Sequence, residues 1–333
     1  MPTILLTSTR VEFPIGVGFS ASVPTATTQE ETAEDFINFF KNFEQLFGIK
    51  NFRIYVTGES YAGRYVPYIS AAMLDQHDTE YFNLSGALAY DPDIGSFAYS
   101  QQEAVVVPFA IENNNILNLN ASFLSQMESL HESCGYADYV KIYLQFPPPG
   151  VQQPQIFNQS ANSVNASCDV YNMIDDALFA VNPCFDRYEI TQTCPLLWDV
   201  LSMPTELHYT PAGATTYFDR SDVKAAIHAH NITWVFCRPG AGYIGKNVDG
   251  TLGGPEMTGD LSADPIQHVL PRVIEATNRV LIGNGDWDYE LITNGRSTTL
   301  AQYEPRADKI QHRHPHLHPE HDLERQARVP ETA

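Results

Sequence analysis

The chain has 333 residues, 43% of them apolar, enough to bury a sizeable core in one large domain or two ordinary ones. Its 19 Lys and Arg stand against 40 Asp and Glu, a formal net charge of −21. That balance excludes a nucleic-acid partner or a polybasic membrane contact, both of which need a basic footprint, and no stretch approaches the ~18–20 apolar residues of a membrane span.

Residues 1–10 lack a basic n-region followed by an apolar h-region and are not expected to be a signal peptide. Residues 11–20 end a strand and enter a glycine-bearing loop. Thr28 and Glu31 form a capping-box pattern. Phe36, Phe39, Phe40, Phe43, Leu46 and Phe47 then recur at helical spacing until Gly48 stops the helix. Residues 52–57 are β-prone, 58–60 form a turn, and 61–75 read as a helix in which Pro67 predicts a kink or a late start. Residues 83–90 form the next strand. This order is that of a parallel α/β sheet.

Residues 101–215 lose the alternation. They hold four of the five cysteines and a proline run at 147–149, and read as a largely helical insertion capping the sheet. The α/β order returns with helices at 221–229 and 266–277 and a strand at 279–282, which opens into Gly283-Asn284-Gly285-Asp286-Trp287-Asp288. The expected organisation is therefore a first core part (1–100), a cap insertion (101–215), a second core part (216–302) and a disordered or non-homologous tail (303–333). The tail is rich in charge and His and poor in large apolar groups, so it cannot fold alone.

Cys134, Cys168, Cys184 and Cys194 lie in loop-like sequence and read as disulfide cysteines stapling the insertion. No CxxC pair exists, so no metal site is expected from them. Cys237 is left without a partner in an odd count of five. Asn-x-Ser/Thr sequons at Asn83, Asn120, Asn158, Asn165 and Asn231 make these glycosylation candidates and favour a secretory history. His312, His314, His316, His318 and His321 have alternating spacing that can bind zinc or nickel. A low-complexity tail is the simpler reading, so neither metal nor cofactor is expected.

The strongest local signal is Gly58-Glu59-Ser60-Tyr61-Ala62-Gly63 between a strand and a helix. A nucleophile elbow needs small residues two before and two or three after its serine, because the turn leaves no room for side chains there. Such a turn lifts the Ser60 hydroxyl above the sheet and aims the Tyr61 backbone N–H at a developing oxyanion.

The run from Gly58 to Pro67, Gly-Glu-Ser-Tyr-Ala-Gly-Arg-Tyr-Val-Pro, resembles the nucleophile signature of the serine carboxypeptidases, the carboxypeptidase Y-like branch of the α/β-hydrolases. Pro14-Ile15-Gly16-Val17-Gly18-Phe19-Ser20 resembles that family's Pro-Val-Gly-Val-Gly-Phe-Ser loop. Residues 283–295 resemble its Gly-Asp-x-Asp acid loop, and Asn182-Pro183-Cys184-Phe185 and Cys194-Pro195-Leu196-Leu197-Trp198 fit the cap insertion of fungal members. The likeness runs from about residue 11 to about 300.

The resemblance implies an α/β-hydrolase-like, mostly parallel sheet with a disulfide-stapled helical cap. It implies release of C-terminal amino acids from peptides or proteins through an acyl-enzyme, in a secreted or vacuolar setting, without a cofactor. Ser60 would be the nucleophile, Asp288 the acid that orients a histidine, Tyr61 an oxyanion donor, and Glu59 the residue that meets the substrate carboxylate. Two carboxylates in contact repel unless one holds a proton, which suits an acidic medium. Glu59 and the cysteine-rich insertion favour a peptidase over an esterase of the same fold. A nested pairing, Cys134 with Cys194 and Cys168 with Cys184, is one of three connectivities the sequence leaves open. Cys237 matches a family cysteine that pairs with an upstream Asn-Gly-Gly-Pro-Gly-Cys motif. That oxyanion motif and the family's Gly-His-Met-x-Pro histidine motif do not occur here, and Glu12 and Phe13 replace the usual acid before Pro14. An impaired peptidase is therefore expected, with a non-catalytic remnant that at most binds peptides as the alternative.

Overall fold

Thr28 starts the first helix of the computed structural model, which describes residues 9–20, 22–95, 98–144, 165–195, 198–201, 210–234, 242–247, 250–254, 258–292 and 310–312. The Glu31 N–H donates to the Thr28 hydroxyl at 3.4 Å and opens α1 (Gln29–Phe47). The Glu31 carboxylate accepts in turn from the Thr27 N–H at 2.6 Å. Gly48, at φ 64°, ends the helix in the left-handed conformation that glycine adopts without steric penalty. The aromatic stripe is wider than the face α1 buries. Ala33 and Ile37 enter a core with Ile54, Tyr68, Ile69, Met73 and Phe82, and Phe36 and Phe40 pack against it. Phe39, Leu46 and Phe47 remain exposed.

Strand β1 (Ile54–Glu59) leads into α2 (Ala62–Asp75), which starts at Ala62 and runs through Pro67 without a late start. Strand β2 (Leu84–Tyr90) pairs with β1 in parallel. Far along the chain, α9 (Val269–Thr277) precedes β3 (Val280–Gly283), which pairs in parallel with β2. A fourth parallel strand, β4 (Ile310–His312), lies on β3 with His312 opposite Ile282. The sequence reading expected no regular structure there. The sheet order is β1-β2-β3-β4.

Successive residues of a strand face opposite sides. Ala87, Ala89, Val280 and Ile282 form one face, buried with Val66 and Ala71 of α2 and Leu270, Val273 and Ile274 of α9. Tyr55 and Tyr90 remain about half exposed.

The cap is helical, with no strand among its described residues. A π-helix (Ala98–Glu103) runs into α3 (Ala104–Glu112), followed by α4 (Asn114–Leu117), α5 (Ala121–Ser133), α6 (Tyr136–Tyr143) and α7 (Val170–Val181). Its core gathers Val105, Val106, Phe109, Met127, Tyr139 and Ile174, and draws in Tyr289 from the far end of the chain. Two short pieces precede α9 on the return to the core, a 3₁₀ turn (Tyr217–Asp219) and α8 (Ser221–Ala226).

The disulfides are Cys134–Cys168 and Cys184–Cys194, not the nested pairs. Helix α7 explains the correction. Its 12 residues stand between Cys168 and Cys184. At 1.5 Å per residue they span roughly 18 Å, far beyond the ~4.4–6.8 Å Cα separation a disulfide allows. Cys134 instead caps the end of α5 beside the start of α7, with its Cα 5.8 Å from that of Cys168. Cys237 lies outside the described residues.

Candidate active site

Ser60 follows the last residue of β1 and adopts φ 58°, in the left-handed region that disfavours any residue with a Cβ. Three hydrogen bonds hold it there. Its N–H donates to the Tyr90 carbonyl at 3.0 Å, and its own carbonyl accepts from Gly63 N–H at 2.8 Å and Asp93 N–H at 2.9 Å. Strain of this kind persists only where the surroundings over-determine it, and it concentrates at functional sites. The small residues around it are a packing requirement. A Cβ on Gly58 would stand 2.4 Å from the Ala62 Cβ, and one on Gly63 would stand 2.5 Å from the Asp93 carbonyl oxygen. Among the described residues, neither the exposed Ser60 hydroxyl nor the Tyr61 backbone N–H is engaged in a hydrogen bond. Glu59, the last residue of β1, is exposed.

Behind the elbow lies a charged network that the sequence reading missed. Arg64 on α2 is 1% exposed. Its Nε donates to Asp260 Oδ2 at 3.1 Å, its Nη1 lies 3.7 Å from Asp264 Oδ2, and its Nη2 donates to the Ser262 carbonyl. The Tyr61 phenol and the Gln29 amide donate to the same Asp260 oxygen, at 2.9 and 2.8 Å. Burial pushes Asp260 up, but Arg64 and the bonds from Ser262 and Gln29 outweigh it and hold the carboxyl below its ordinary range. At Asp264 burial wins over the more distant guanidinium, and the carboxyl is raised. Burial and the Asp260 charge raise the Tyr61 phenol well above its ordinary value. The network joins the start of α1, the elbow, residues 258–264 and, through the Gly95 N–H on Asp264 at 2.8 Å, the loop after β2. A lone Arg inside an otherwise apolar helix was the available signal.

Asp288 is 6% exposed, and its Oδ1 accepts from Leu291 N–H at 2.9 Å. Its loop is tied on every side. Gly285 N–H donates to Asp91 at 2.8 Å, Tyr289 N–H to the Arg187 carbonyl at 2.6 Å, and the Tyr289 hydroxyl to the Tyr171 carbonyl at 2.9 Å. Register places the acid relative to the serine. Glu59 lies opposite Tyr90, and Tyr90 opposite Gly283. Ser60 and the Asp288 loop thus leave the same edge of the sheet, two strands apart, or roughly 10 Å at the strand ends. Strand β4 ends on that edge with the backbone of His312. The remaining histidines of the tail, and His208, lie outside the described residues.

The other expected residues are on the surface or outside the described set. Asn120 and Asn165 are exposed and use their side-chain oxygens to accept from Ser122 and Ser167 N–H. Asn231 is exposed and Asn83 half-buried. Asn158 lies outside the described residues. Glu12, the departure before Pro14, accepts from the Phe19 N–H and from Trp234 Nε1 at 2.8 Å. Among the described residues no group of His, Cys, Asp and Glu has the arrangement of a metal site, and no helix is long and apolar enough to cross a membrane.

A parallel sheet with a strained serine at a strand–helix elbow and a helical cap defines an α/β-hydrolase-type protein. The chain matches the serine carboxypeptidase (peptidase S10) family over residues 10–322 and belongs to it. That match reaches past the last motif read from the sequence and into the tail. The chain is 61% identical over 285 residues to serine-type carboxypeptidase F of Aspergillus niger, covering 86% of this chain and 52% of that protein. It is 39% identical to a probable serine carboxypeptidase of Arthroderma benhamiae, covering 85% and 50%. It therefore spans about half the length of these curated relatives. In fold it resembles the prohormone-processing carboxypeptidase Kex1(delta)p from Saccharomyces cerevisiae, with TM-score 0.55 and 18% identity over 86% of this chain and 58% of that one.

Proposed function

We propose that this chain carries the nucleophile and acid of a serine-type carboxypeptidase acting on peptide or protein C-termini. The observation that carries the reading is Ser60. It is held at φ 58° at the end of a parallel strand, with neither its hydroxyl nor the neighbouring Tyr61 N–H hydrogen-bonded among the described residues. Ser60 Oγ attacks the last peptide carbonyl and loses its proton to a base. The Tyr61 N–H receives the oxyanion, the C-terminal amino acid departs with the proton, and water releases the acyl group. Asp288 orients the base, and Glu59 meets the substrate carboxylate when the pair shares a proton. The two disulfides and the surface sequons support a secreted or vacuolar setting.

In the second reading, an impaired enzyme or a peptide-binding remnant, Ser60 lacks a positioned base. Loss of the base lowers turnover on the order of a million-fold. The test pairs a serine-directed phosphonate with release of amino acids from blocked dipeptides between pH 4 and 7. We expect slow labelling confined to Ser60 and little turnover. Fast turnover that Ser60→Ala abolishes would restore the full enzyme reading, and variants across His312–His321 would then locate the base.

A further inference from the structure

We propose that the π-helix Ala98–Glu103 sets the acid loop against the nucleophile elbow, with Gln101 and Gln102 as positioning residues. This rests on the roles given above to Ser60 and Asp288. A π-helix is rare and concentrates at functional places, and this one runs directly into α3. This one buries Ser100, Gln101, Gln102 and Glu103 beneath the cap. Buried polar side chains are tolerated only when their hydrogen bonds are made, so the destinations of these bonds show what the segment holds.

Gln101 is fully buried and joins two loops. Its side-chain amide donates to the Pro92 carbonyl at 3.1 Å and accepts from Ile94 N–H at 3.5 Å. Between those residues lies Asp93, whose N–H holds the Ser60 carbonyl. The main-chain carbonyl of Gln101 accepts from Ile292 N–H at 3.2 Å. Gln102 donates from its amide to the Glu290 carbonyl at 3.1 Å. Glu103 accepts from Val170 and Tyr171 N–H at the start of α7, and the Tyr171 carbonyl takes the Tyr289 hydroxyl. A chain of bonds therefore runs from the Ser60 carbonyl through Asp93 and Gln101 to residues 290–292, where Leu291 N–H meets the Asp288 carboxylate. Sheet register sets where β1 and β3 end. It does not by itself fix the path of residues 284–292, and the π-helix adds to the bonds with Asp91, Arg187 and Tyr171 a direct tie between that path and the residues that hold Ser60.

The test uses Gln102→Met and Gln101→Met, which keep side-chain volume and remove the amide, together with Gln102→Glu. Amide hydrogen exchange needs no activity. Gln102→Met should speed exchange at 288–292 about tenfold and leave 91–95 unchanged, whereas Gln101→Met, which keeps the main-chain bond to Ile292, should speed exchange at 91–95. Phosphonate labelling of Ser60 should slow by about tenfold or more in both Met variants. In Gln102→Glu the defect should shrink in acid, where a protonated carboxyl again donates to the Glu290 carbonyl, a pH profile that a merely structural role would not produce. Wild-type exchange at 288–292 in Gln102→Met overturns the proposal. A wild-type chain that resists labelling while the exchange pattern appears keeps the positioning role and sinks the catalytic reading. If Gln101→Met does not fold, the Gln102 pair decides the matter alone.

Discussion

Ser60 holds a conformation that costs any residue with a Cβ roughly 1–2 kcal/mol. Glycine escapes that penalty and gives up some of the gain in chain entropy. Ser60→Gly is therefore expected to be more stable than Ser60→Ala by about 1 kcal/mol, read from urea midpoints, while both lose phosphonate labelling. Asp260 sets the opposite expectation. It is fully buried and takes bonds from Arg64, Tyr61 and Gln29. Asp260→Asn takes from the buried guanidinium its nearest carboxylate, and stability should fall by about 3 kcal/mol in chemical denaturation. These residues also mark how far sequence reading reached. Gly58, Ala62 and Gly63 were legible because a tight strand–helix turn restricts residue size at fixed offsets. Arg64 and Asp260 were not, because their partnership spans 196 positions and depends on a burial that no local pattern announces.

At the scale of elements, the cap carries both described disulfides, and the loops they close differ in length. Cys134–Cys168 spans 34 positions and Cys184–Cys194 spans 10. In the chain-entropy account these amount to about 4 and about 3 kcal/mol respectively. Paired Cys→Ser replacement at 134 and 168 should lower the thermal midpoint more than replacement at 184 and 194. The nested pairing failed because the helix at 170–181 had not been resolved from the broken patterns around it, and a helix of that length forbids it. The α1 aromatics mislead in another way. Their spacing identifies the helix correctly, yet Phe39 and Phe47 are exposed while the polar Thr32 and Glu44 are buried. Periodicity gave the element, and tertiary packing chose its face. The strand–turn–helix alternation was legible throughout the sheet except at β4, where three residues in a charged tail offer no period to read.

For the whole molecule, the buried carboxyls set a pH dependence. Glu44 is fully buried, with neither oxygen hydrogen-bonded among the described residues. Burial and the nearby Asp78 charge push it up to about 7. Burial pushes Glu103 up to about 8 and raises Asp264 and Asp186 as well. A carboxyl raised on folding stabilises the native state fully below its unfolded value, and that contribution is lost as pH rises through the folded one. Stability should therefore fall between about pH 4.5 and 8, with the net charge of −21 adding repulsion in the same direction. Asp260, held low, works oppositely, losing its contribution only in stronger acid. Calorimetric midpoints should be higher at pH 5 than at pH 8, and Glu44→Gln should flatten part of that slope. One feature of the sheet also bears on how the molecule assembles. The register that sets Ala87 against Val280 joins segments 280 − 87 = 193 positions apart, whereas the helices of the cap pack on one another across shorter separations, as α3 does on α5, α6 and α7. Closing so long a loop is entropically expensive, and non-local parallel pairing is slow. The cap helices should gain protection first in pulse-labelled refolding, with β3 last, so the two halves of the candidate site meet only at the final step of folding.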